Sequence, residues 1–256
     1  MKNMLKEKLA QGVKPLGTFV GTGSAAVVEC LGCAGLDFVI LDNVADLNVV
    51  DVYHCGKKII KDEKAELKPC PPYLKNTVHV SGFSEERLKL KHPGTKARVI
   101  QMLEKQIVTK DVLEEVPWIE SDGEKYFAPD GEYQKIAVIE RHKNTGKMGV
   151  GIVKGYGIRG GAIASSVSHD SHNIIVIGDN DQDMALAVQE LIRTQGGYTL
   201  VADHHVYDTL ELPIMGLMSD AGFQYSHRKL ERMIRKAHEM GVPDAMAPFI
   251  TLSFMA

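Results

Sequence analysis

The feature that most restricts the fold of this chain is a series of four apolar segments of strand length between residues 135 and 178. They read KIAVIERH, GVGIVKGYG, GAIASSV and NIIVIG, and glycine-rich turns separate them. Short apolar runs that are rich in β-branched residues and bounded by glycine are typical of buried strands. We therefore predict a sheet at the centre of the C-terminal half.

Two amphipathic helices are predicted after these strands. The first begins where Asn180 or Asp181 can cap it and ends at Gly196-Gly197. The second ends at Gly241-Val-Pro243, and a hairpin from YTLVAD through HHVY to TLELPI precedes it. The apolar faces share helical spacing: Met184, Ala185, Val188, Leu191 and Ile192 in the first helix, and Leu230, Met233, Ile234 and Ala237 in the second. These patterns predict helices packed on a mixed sheet.

The N-terminal part has a different pattern of apolar and polar residues. Residues 1–42 read as helix, strand, helix and strand, which predicts one βαβ unit of a parallel sheet. Residues 43–82 contain VVDVYHCGKKII and NTVHVSG, short alternating runs of a small β-layer with a linker. Residues 83–256 form the third segment, with further strands at ARVIQML and QIVTKDVLEEVPW and a reverse turn at APDGEY. We expect an α+β or mixed α/β fold with a C-terminal mixed-sheet domain.

Charge and hydropathy exclude several classes of protein. The chain has 256 residues, a formal net charge of −3 and no block of lysine or arginine, so we expect no nucleic-acid partner. Its longest apolar runs are far shorter than the roughly 20 residues that span a bilayer, and its N-terminus lacks the apolar centre of a signal peptide. We expect a soluble, cytoplasmic protein without a membrane partner.

Two N-terminal motifs resemble known binding motifs, one for a metal or redox site and one for a dinucleotide. Cys30 and Cys33 form the CxxC segment CLGC, but no second close pair accompanies them, and small buried thiols are ordinary in an apolar run. The segment GTGSAA imitates the dinucleotide fingerprint, and Asp42 lies at about the distance of its ribose-binding acid. No further βα repeats follow to complete a doubly wound sheet, which argues against dinucleotide binding.

A second glycine motif, GYGIRG at residues 155–160, leads into another strand. Without a helix N-terminus to receive a phosphate, we reject a phosphate-binding role for it. His204 and His205 occupy the predicted hairpin tip, where we expect them to be solvated.

The segment SHDSHN is the most interesting candidate site. It places His169, Asp170 and His172 in a polar turn between two predicted strands. Two imidazoles around a carboxylate can bind a metal, relay a proton or hydrogen-bond a heterocycle. The alternative is a turn in which Asp170, Ser171 and Asn173 satisfy neighbouring amides and both histidines are half-exposed. The residues alone leave both interpretations open.

A long stretch of the chain resembles a known enzyme family. The run IAVIERHKNTGKMGVGIVKGYGIRGGAIASSVSHDSHNIIVIGDNDQDMALAVQELIRTQGG, together with LPIMGLMSD and PFITLSF, resembles the C-terminal part of bacterial adenine deaminase, of the amidohydrolase superfamily. The resemblance extends over residues 49–254. It implies conversion of adenine and water to hypoxanthine and ammonia, with manganese, iron or zinc held by histidines and carboxylates of a barrel.

Residues 4–42 instead resemble the start of the barrel of the HpcH/HpaI aldolase family. The Glu-His pair expected after the strand is absent, because NVADLNVV follows Asp42. No H-x-H segment of the deaminase barrel is found either, so we identify no catalytic residue and no metal ligand. The chain thus resembles a fusion of two partial enzymes.

These resemblances lead to a conditional expectation. We expect His169, Asp170, His172, Asn173 and Ser166 to face the substrate end of a complete deaminase, while the chain alone is inactive. The alternative is a non-catalytic oligomerisation or interaction module, a remnant of the two fused enzymes. An apolar face left by the missing barrel would favour a homo-oligomer.

Overall fold

The computed structural model of this chain describes residues 10–12, 17–20, 38–41, 52–54, 57–59 and 70–255, except 93, 95, 104, 105 and 107. The chain divides into two compact units, residues 1–67 and residues 68–256. The predicted division at residues 42 and 82 stays a prediction.

The described residues of the first unit form two strand pairs. Strand β1 (Gly17–Val20) pairs in parallel with β2 (Phe38–Leu41), as expected of a βαβ unit. Strand β3 (Val52–His54) pairs antiparallel with β4 (Lys57–Ile59), which confirms the strands predicted there. Only residues 10–12 of the first predicted helix are described, with Ala10 helical, while the second predicted helix, the CLGC segment and the GTGSAA segment with Asp42 lie outside the described residues.

The second unit is built on an eight-stranded mixed sheet with the order β14-β13-β11-β12-β9-β10-β5-β6. Its strands are β5 (Ala97–Met102), β6 (Thr109–Glu114), β9 (Tyr133–Ile139), β10 (Met148–Lys154), β11 (Gly161–Ser165), β12 (Ile174–Gly178), β13 (Gly197–Ala202) and β14 (His205–Glu211). Only β5 and β10 pair in parallel among these strands. A separate hairpin joins β7 (Trp118–Ser121) to β8 (Glu124–Phe127). The predicted α+β class is confirmed.

Helices cover both faces of this sheet. Helix α1 (Asp181–Arg193) packs on one face, where Val176 and Leu191 belong to the same buried cluster. Helices α2 (Phe223–Glu239) and α3 (Pro248–Ser253) share the buried cluster of the other face with Ile175 and Met233. Because both faces are covered, β11 and β12 are buried at every position, which explains their uninterrupted apolar sequences.

The predicted helix signals are confirmed. The Asn180 side chain accepts a hydrogen bond from the Asp183 amide at 2.8 Å and so caps α1. Helix α1 ends at Arg193, before the glycine pair, and α2 ends at Glu239, before Gly241. Among the described helices, none combines the length and the hydropathy needed to cross a membrane.

Two local predictions were wrong. Residues 76–82 do not join a sheet, because the Val78 amide donates to the Gln195 side chain and the His79 amide donates to the Arg141 carbonyl. The hairpin tip lies at Asp203-His204, and His205 already belongs to β14. The turn at 128–131 is as predicted, since the Asp130 side chain accepts from the amides of residues 132 and 133.

Candidate functional site

The SHDSHN segment lies in the loop between β11 and β12, adjacent antiparallel strands at the centre of the sheet. The His172 amide donates to the Ser168 carbonyl at 2.8 Å, and the Ser171 amide donates to the His169 carbonyl at 2.9 Å. Asp170 and His172 have φ angles of 64° and 48°, a left-handed conformation that is uncommon outside glycine. The loop is therefore a compact turn whose backbone is partly strained. We call residues 166–173 the His169 loop.

Ser166 supports the His169 loop from inside the protein. The residue is fully buried, its hydroxyl donates to the Gly216 carbonyl at 2.6 Å, and it accepts from the Gly197 amide at 2.8 Å. Both hydrogen bonds are made to the backbone of other segments. A substrate-facing role for Ser166 therefore stays a prediction, while its structural role is evident.

His169 and Asp170 lie at the surface. The side chain of His169 is 59% exposed and that of Asp170 is 93% exposed, and Nδ1 of His169 lies 3.3 Å from Oδ1 of Asp170. The His169 amide donates to the Ser253 carbonyl at 2.7 Å. The imidazole stacks on the ring of Phe254, with ring centroids 4.9 Å apart. Ser253 and Phe254, at the end of α3, thus hold His169 at the surface through a backbone hydrogen bond and a ring stack.

His172 and Asn173 are half-buried and carry polar atoms without partners. Nδ1 of His172 and Oδ1 of Asn173 are buried atoms with no hydrogen bond to any described residue, and the same holds for Oγ of Ser168. Buried polar atoms are normally hydrogen-bonded, so unpaired atoms on one short turn need an explanation. A buried water can pair with these atoms, whereas a ligand or a packed neighbouring domain reaches them only if the turn shifts.

Arg141 is the residue of this site that the sequence analysis missed. Its residue exposure is 1%, and its guanidinium donates to the carbonyls of His172 at 2.5 Å, Met215 at 3.0 Å and Thr77 at 3.4 Å. Burial lowers the pKa of Arg141 to about 10, still well above neutral pH. One cation therefore ties the His169 loop to two other segments. The sequence signal for the burial of Arg141 was its position two residues after Ile139, which is buried, because alternate residues of a strand share a face.

The turn after β9 contacts the other side of the His169 loop. Nε2 of His142 lies 2.9 Å from the Ser171 carbonyl oxygen. Glu140 organises this turn, because its carboxylate accepts hydrogen bonds from the amides of His142, Lys143 and Thr145. These amides lower the pKa of Glu140 to about 2. The turn is thus held by a carboxylate that stays ionised at all but very acidic pH.

The metals implied by the resemblance were tested against these side chains. Across the described part of the chain, no group of three or more His, Cys, Asp or Glu side chains is placed to hold a metal ion. His169 and Asp170 contact each other at the surface, while Nδ1 of His172 is buried. The His169 loop therefore does not fit a manganese, iron or zinc centre.

His204 and His205 are exposed, as expected, but His204 is not free. Its Nδ1 lies 3.0 Å from Oδ1 of Asp183, whose side chain is 1% exposed. The hairpin tip places Asp203 and His204 at φ angles of 50° and 63°. The contact between His204 and Asp183 ties the tip to the first turn of α1.

Backbone amides of the GYGIRG segment and of Gly161 after it donate hydrogen bonds within the protein. The Gly157 amide donates to the Gln134 side chain, and the amides of Gly160 and Gly161 donate to the Asp179 carboxylate. The Arg159 amide donates to the Met240 carbonyl at 2.8 Å. These donors are used, so they do not form a phosphate-binding loop.

Comparison with known proteins identifies the family. Residues 106–256 match the family described as the adenine deaminase C-terminal domain. The chain is 45% identical over 261 residues to adenine deaminase of Desulfitobacterium hafniense (strain Y51), an alignment that covers 98% of this chain and 45% of that protein. It is 37% identical over 266 residues to adenine deaminase of Nitratidesulfovibrio vulgaris (strain DP4), with 99% and 46% covered.

A third relative, adenine deaminase of Clostridium acetobutylicum, is 40% identical over 227 residues, which cover 86% of this chain and 39% of that protein. The chain therefore spans less than half the length of these relatives. The alignments over 98% and 99% of the chain include most of residues 4–42, and the aldolase resemblance of that segment stays a prediction. From the matched domain and the identity over nearly its whole length, the chain belongs to the adenine deaminase family.

Proposed function

We propose that this chain is the C-terminal part of an enzyme that converts adenine and water to hypoxanthine and ammonia. The observation that carries the proposal is the 45% identity to an adenine deaminase over 98% of the chain. The alignment covers nearly the whole chain, and the matched C-terminal domain at residues 106–256 spans the His169 loop and the helices that contact it.

The His169 loop is the part of the chain that we assign to the substrate end of the enzyme. Its exposed members, His169 and Asp170, offer a donor or acceptor imidazole and a carboxylate. Its half-buried members, His172 and Asn173, carry unpaired polar atoms that are buried, so a purine or a packed barrel pairs with them only through a bridging water or a shift of the loop. Ser166 and Arg141 hold the loop in place from inside.

Deamination needs a water that attacks C6 of adenine and a group that delivers a proton to the leaving amine. A bound manganese, iron or zinc ion supplies a hydroxide at neutral pH in hydrolases of this type. The described residues do not form such a centre. We therefore expect no deamination by this chain alone, because positioning residues cannot replace the activated water.

A chimera tests this assignment. The part of Desulfitobacterium hafniense adenine deaminase that aligns with this chain is replaced by this chain, and ammonia release from adenine is measured with added manganese or iron(II). We expect activity in the chimera and none in the isolated chain. His169→Ala and Asp170→Asn should each lower kcat/KM at least tenfold in the chimera, a loss of about 1.4 kcal/mol of transition-state stabilisation.

His205→Ala is the matched control, since it removes an exposed imidazole from the first residue of β14. It should leave kcat/KM within twofold of the chimera. Unchanged kinetics in the His169 and Asp170 variants would remove the loop from the substrate end. Metal-dependent ammonia release by the isolated chain would show that it holds a complete catalytic site.

The second candidate function is an oligomerisation or interaction module without catalysis. It is favoured by two exposed apolar side chains: Leu113, on edge strand β6 of the main sheet, is 65% exposed, and Ile119, on β7 of the separate hairpin, is 57% exposed. Exposed apolar edge strands promote pairing between copies. Light scattering after gel filtration separates the two cases: a dimer that Leu113→Lys converts to a monomer supports this function, and a monomeric wild type contradicts it.

A further inference from the structure

A cleft lined by charged side chains lies at the opposite end of β11 from the His169 loop. It measures about 560 Å³ and opens between the GYGIRG segment, the tip of the β13–β14 hairpin and the end of α2. This volume falls in the range of small-molecule sites, about 300–1,000 Å³. The lining residues and their neighbours in sequence all belong to the described part of the chain. Four of the lining side chains are charged: Arg159, Asp203, Lys236 and Glu239.

Main-chain contacts fix the walls of this cleft. The Arg159 amide donates to the Met240 carbonyl at 2.8 Å, and the Asp203 amide donates to the Gly160 carbonyl at 2.9 Å. A Cβ on Gly241 would lie only 2.5 Å from the carbonyl oxygen of Gly157, so the two segments meet backbone to backbone. The backbone positions of Arg159 and Asp203 are therefore set before any ligand arrives.

The guanidinium of Arg159 lies directly over Gly131. A Cβ on Gly131 would lie 2.9 Å from Nε of Arg159 and 3.2 Å from its Nη2, and the φ of +94° at Gly131 disfavours any other residue. The stem of the arginine passes Gly241, where a Cβ would lie 3.8 Å from its Cγ. A guanidinium held in this way offers a planar fork that matches a carboxylate.

The charges of the cleft are balanced and only partly paired. Nζ of Lys236 lies 3.6 Å from Oε2 of Glu239, one turn further along α2. Arg159 and Asp203 form no ion pair with each other or with another described side chain. The Asp203 carboxylate lies beside Gly160, since its Oδ1 would be 3.6 Å from a Cβ there. One guanidinium and one carboxylate thus remain for a ligand.

This balance selects among ligand classes. A simple anion is attracted by Arg159 but repelled by Asp203 and Glu239, and a simple cation meets the opposite arrangement. A neutral apolar molecule would remove charged groups from water without pairing them. A molecule that carries one charge of each sign can pair with both unpaired groups.

We propose that this cleft binds a free α-amino acid, with its carboxylate on the guanidinium of Arg159 and its ammonium on the carboxylate of Asp203. The Lys236–Glu239 pair lies at the same cleft and adds no net charge. The site goes beyond the proposed function, because it uses neither adenine nor the His169 loop.

Calorimetric titration of the full chain with three probes of similar size tests the site. L-Alanine carries both charges, L-lactate has a hydroxyl in place of the ammonium, and L-alaninol lacks the carboxylate. We expect L-alanine to bind most tightly and each analogue to bind about threefold to tenfold more weakly, because each loses one charge-assisted hydrogen-bonded pair. No heat with millimolar L-alanine would overturn the proposal. Tighter binding of L-lactate than of L-alanine would also overturn it, in favour of a simple anion site.

Two variants assign the two ends of the ligand. Arg159→Gln should bind L-alanine no better than L-alaninol, because the partner of the carboxylate is gone, and should keep the preference over L-lactate. Asp203→Asn should lose the preference over L-lactate and keep the preference over L-alaninol. Asparagine tolerates the left-handed backbone at this position, where φ is 50°, so this variant should fold.

Arg235→Gln is the matched control, because it removes an exposed arginine of α2 that does not line the cleft. It should show the wild-type order of the three probes, and thermal unfolding checks that every variant is folded. Probe preferences that stay the same in Arg159→Gln and Asp203→Asn would overturn the proposal. Heat of amino-acid binding is measured without turnover, so an inactive chimera would leave this site in place, and an absence of heat would leave the proposed deaminase function in place.

Discussion

The imidazole of His169 stacks on the ring of Phe254, with centroids 4.9 Å apart and ring planes inclined by 22°. The contact joins the loop between two central strands to the residue that follows α3. It also orients an exposed imidazole without a buried hydrogen-bond partner on its ring. Phe254, which follows α3, thereby takes part in positioning the candidate substrate-facing histidine.

Phe254→Ala should release the His169 ring. The protons of the stacked imidazole lie in the ring current of Phe254, so we expect their NMR signals to move toward free-histidine positions. The stability loss should be within about 1 kcal/mol, because stacked aromatic pairs contribute about 0.5–1.5 kcal/mol and both rings are partly exposed.

Phe223→Ala provides the comparison, because Phe223 stacks on exposed His227 with centroids 5.8 Å apart. That variant should shift the His227 signals and leave those of His169 in place. Unchanged His169 signals in Phe254→Ala would mean that the stack does not exist in solution.

Arg141→Met should destabilise the protein strongly. It removes the buried donor of three carbonyls in separate segments, which should cost about 2–4 kcal/mol. Arg141→Lys should be intermediate, because an ammonium keeps the charge but lacks the planar fork of the guanidinium. Urea unfolding measures both variants.

Arg87→Lys serves as the control for Arg141. Arg87 also donates to two carbonyls, those of Gly82 and Gly146, but it is exposed. Its replacement should change stability by less than about 0.5 kcal/mol. If Arg141→Lys were equally mild, burial of the guanidinium would not matter to this site.

Ser166→Ala and Ser168→Ala should have opposite outcomes although both serines are fully buried. Removal of the Ser166 hydroxyl leaves the Gly197 amide and the Gly216 carbonyl without a partner, at a cost of about 1–3 kcal/mol. Removal of the Ser168 hydroxyl, which has no described partner, should be neutral or stabilising. Thermal unfolding compares them, and an equal loss in both would indicate that an unseen group pairs with Ser168.

Glu140→Gln should lower stability at neutral pH and lose this effect in acid. The folded-state pKa of Glu140 is lowered from 4.5 to about 2, so its carboxylate stabilises the fold fully above pH 4.5. That contribution disappears as the pH falls from 4.5 toward 2, where the carboxylate becomes protonated. Urea midpoints at several pH values should therefore differ at pH 7 and converge near pH 2.

Glu120→Gln on exposed strand β7 is the reference for this titration. It should follow the wild type across the whole range. A midpoint difference between Glu140→Gln and the wild type that persists below pH 2 would show that the effect comes from packing and not from charge.

Much of the fold could be predicted because its signals are local. The apolar runs of β11 and β12, the Asn180 cap and the apolar face of α1 each depend on residues close in sequence. Residues 76–82 show where local reasoning fails: their alternating pattern resembles a strand, but their amides pair with Gln195 and Arg141 from elsewhere in the chain. The periodicity of a segment does not indicate which distant residues will hydrogen-bond to its amides.

The sequence by itself determined the α+β class, the adenine deaminase resemblance and the position of the His169 loop, because periodicity, turn residues and motifs are written along the chain. Only the tertiary structure decided that the Ser166 hydroxyl hydrogen-bonds to backbone groups and that the His169 ring stacks on Phe254. Burial of Arg141 against three carbonyls was also decided there. Each of these depends on segments that are distant in sequence and meet only when the sheet and its helices close around them.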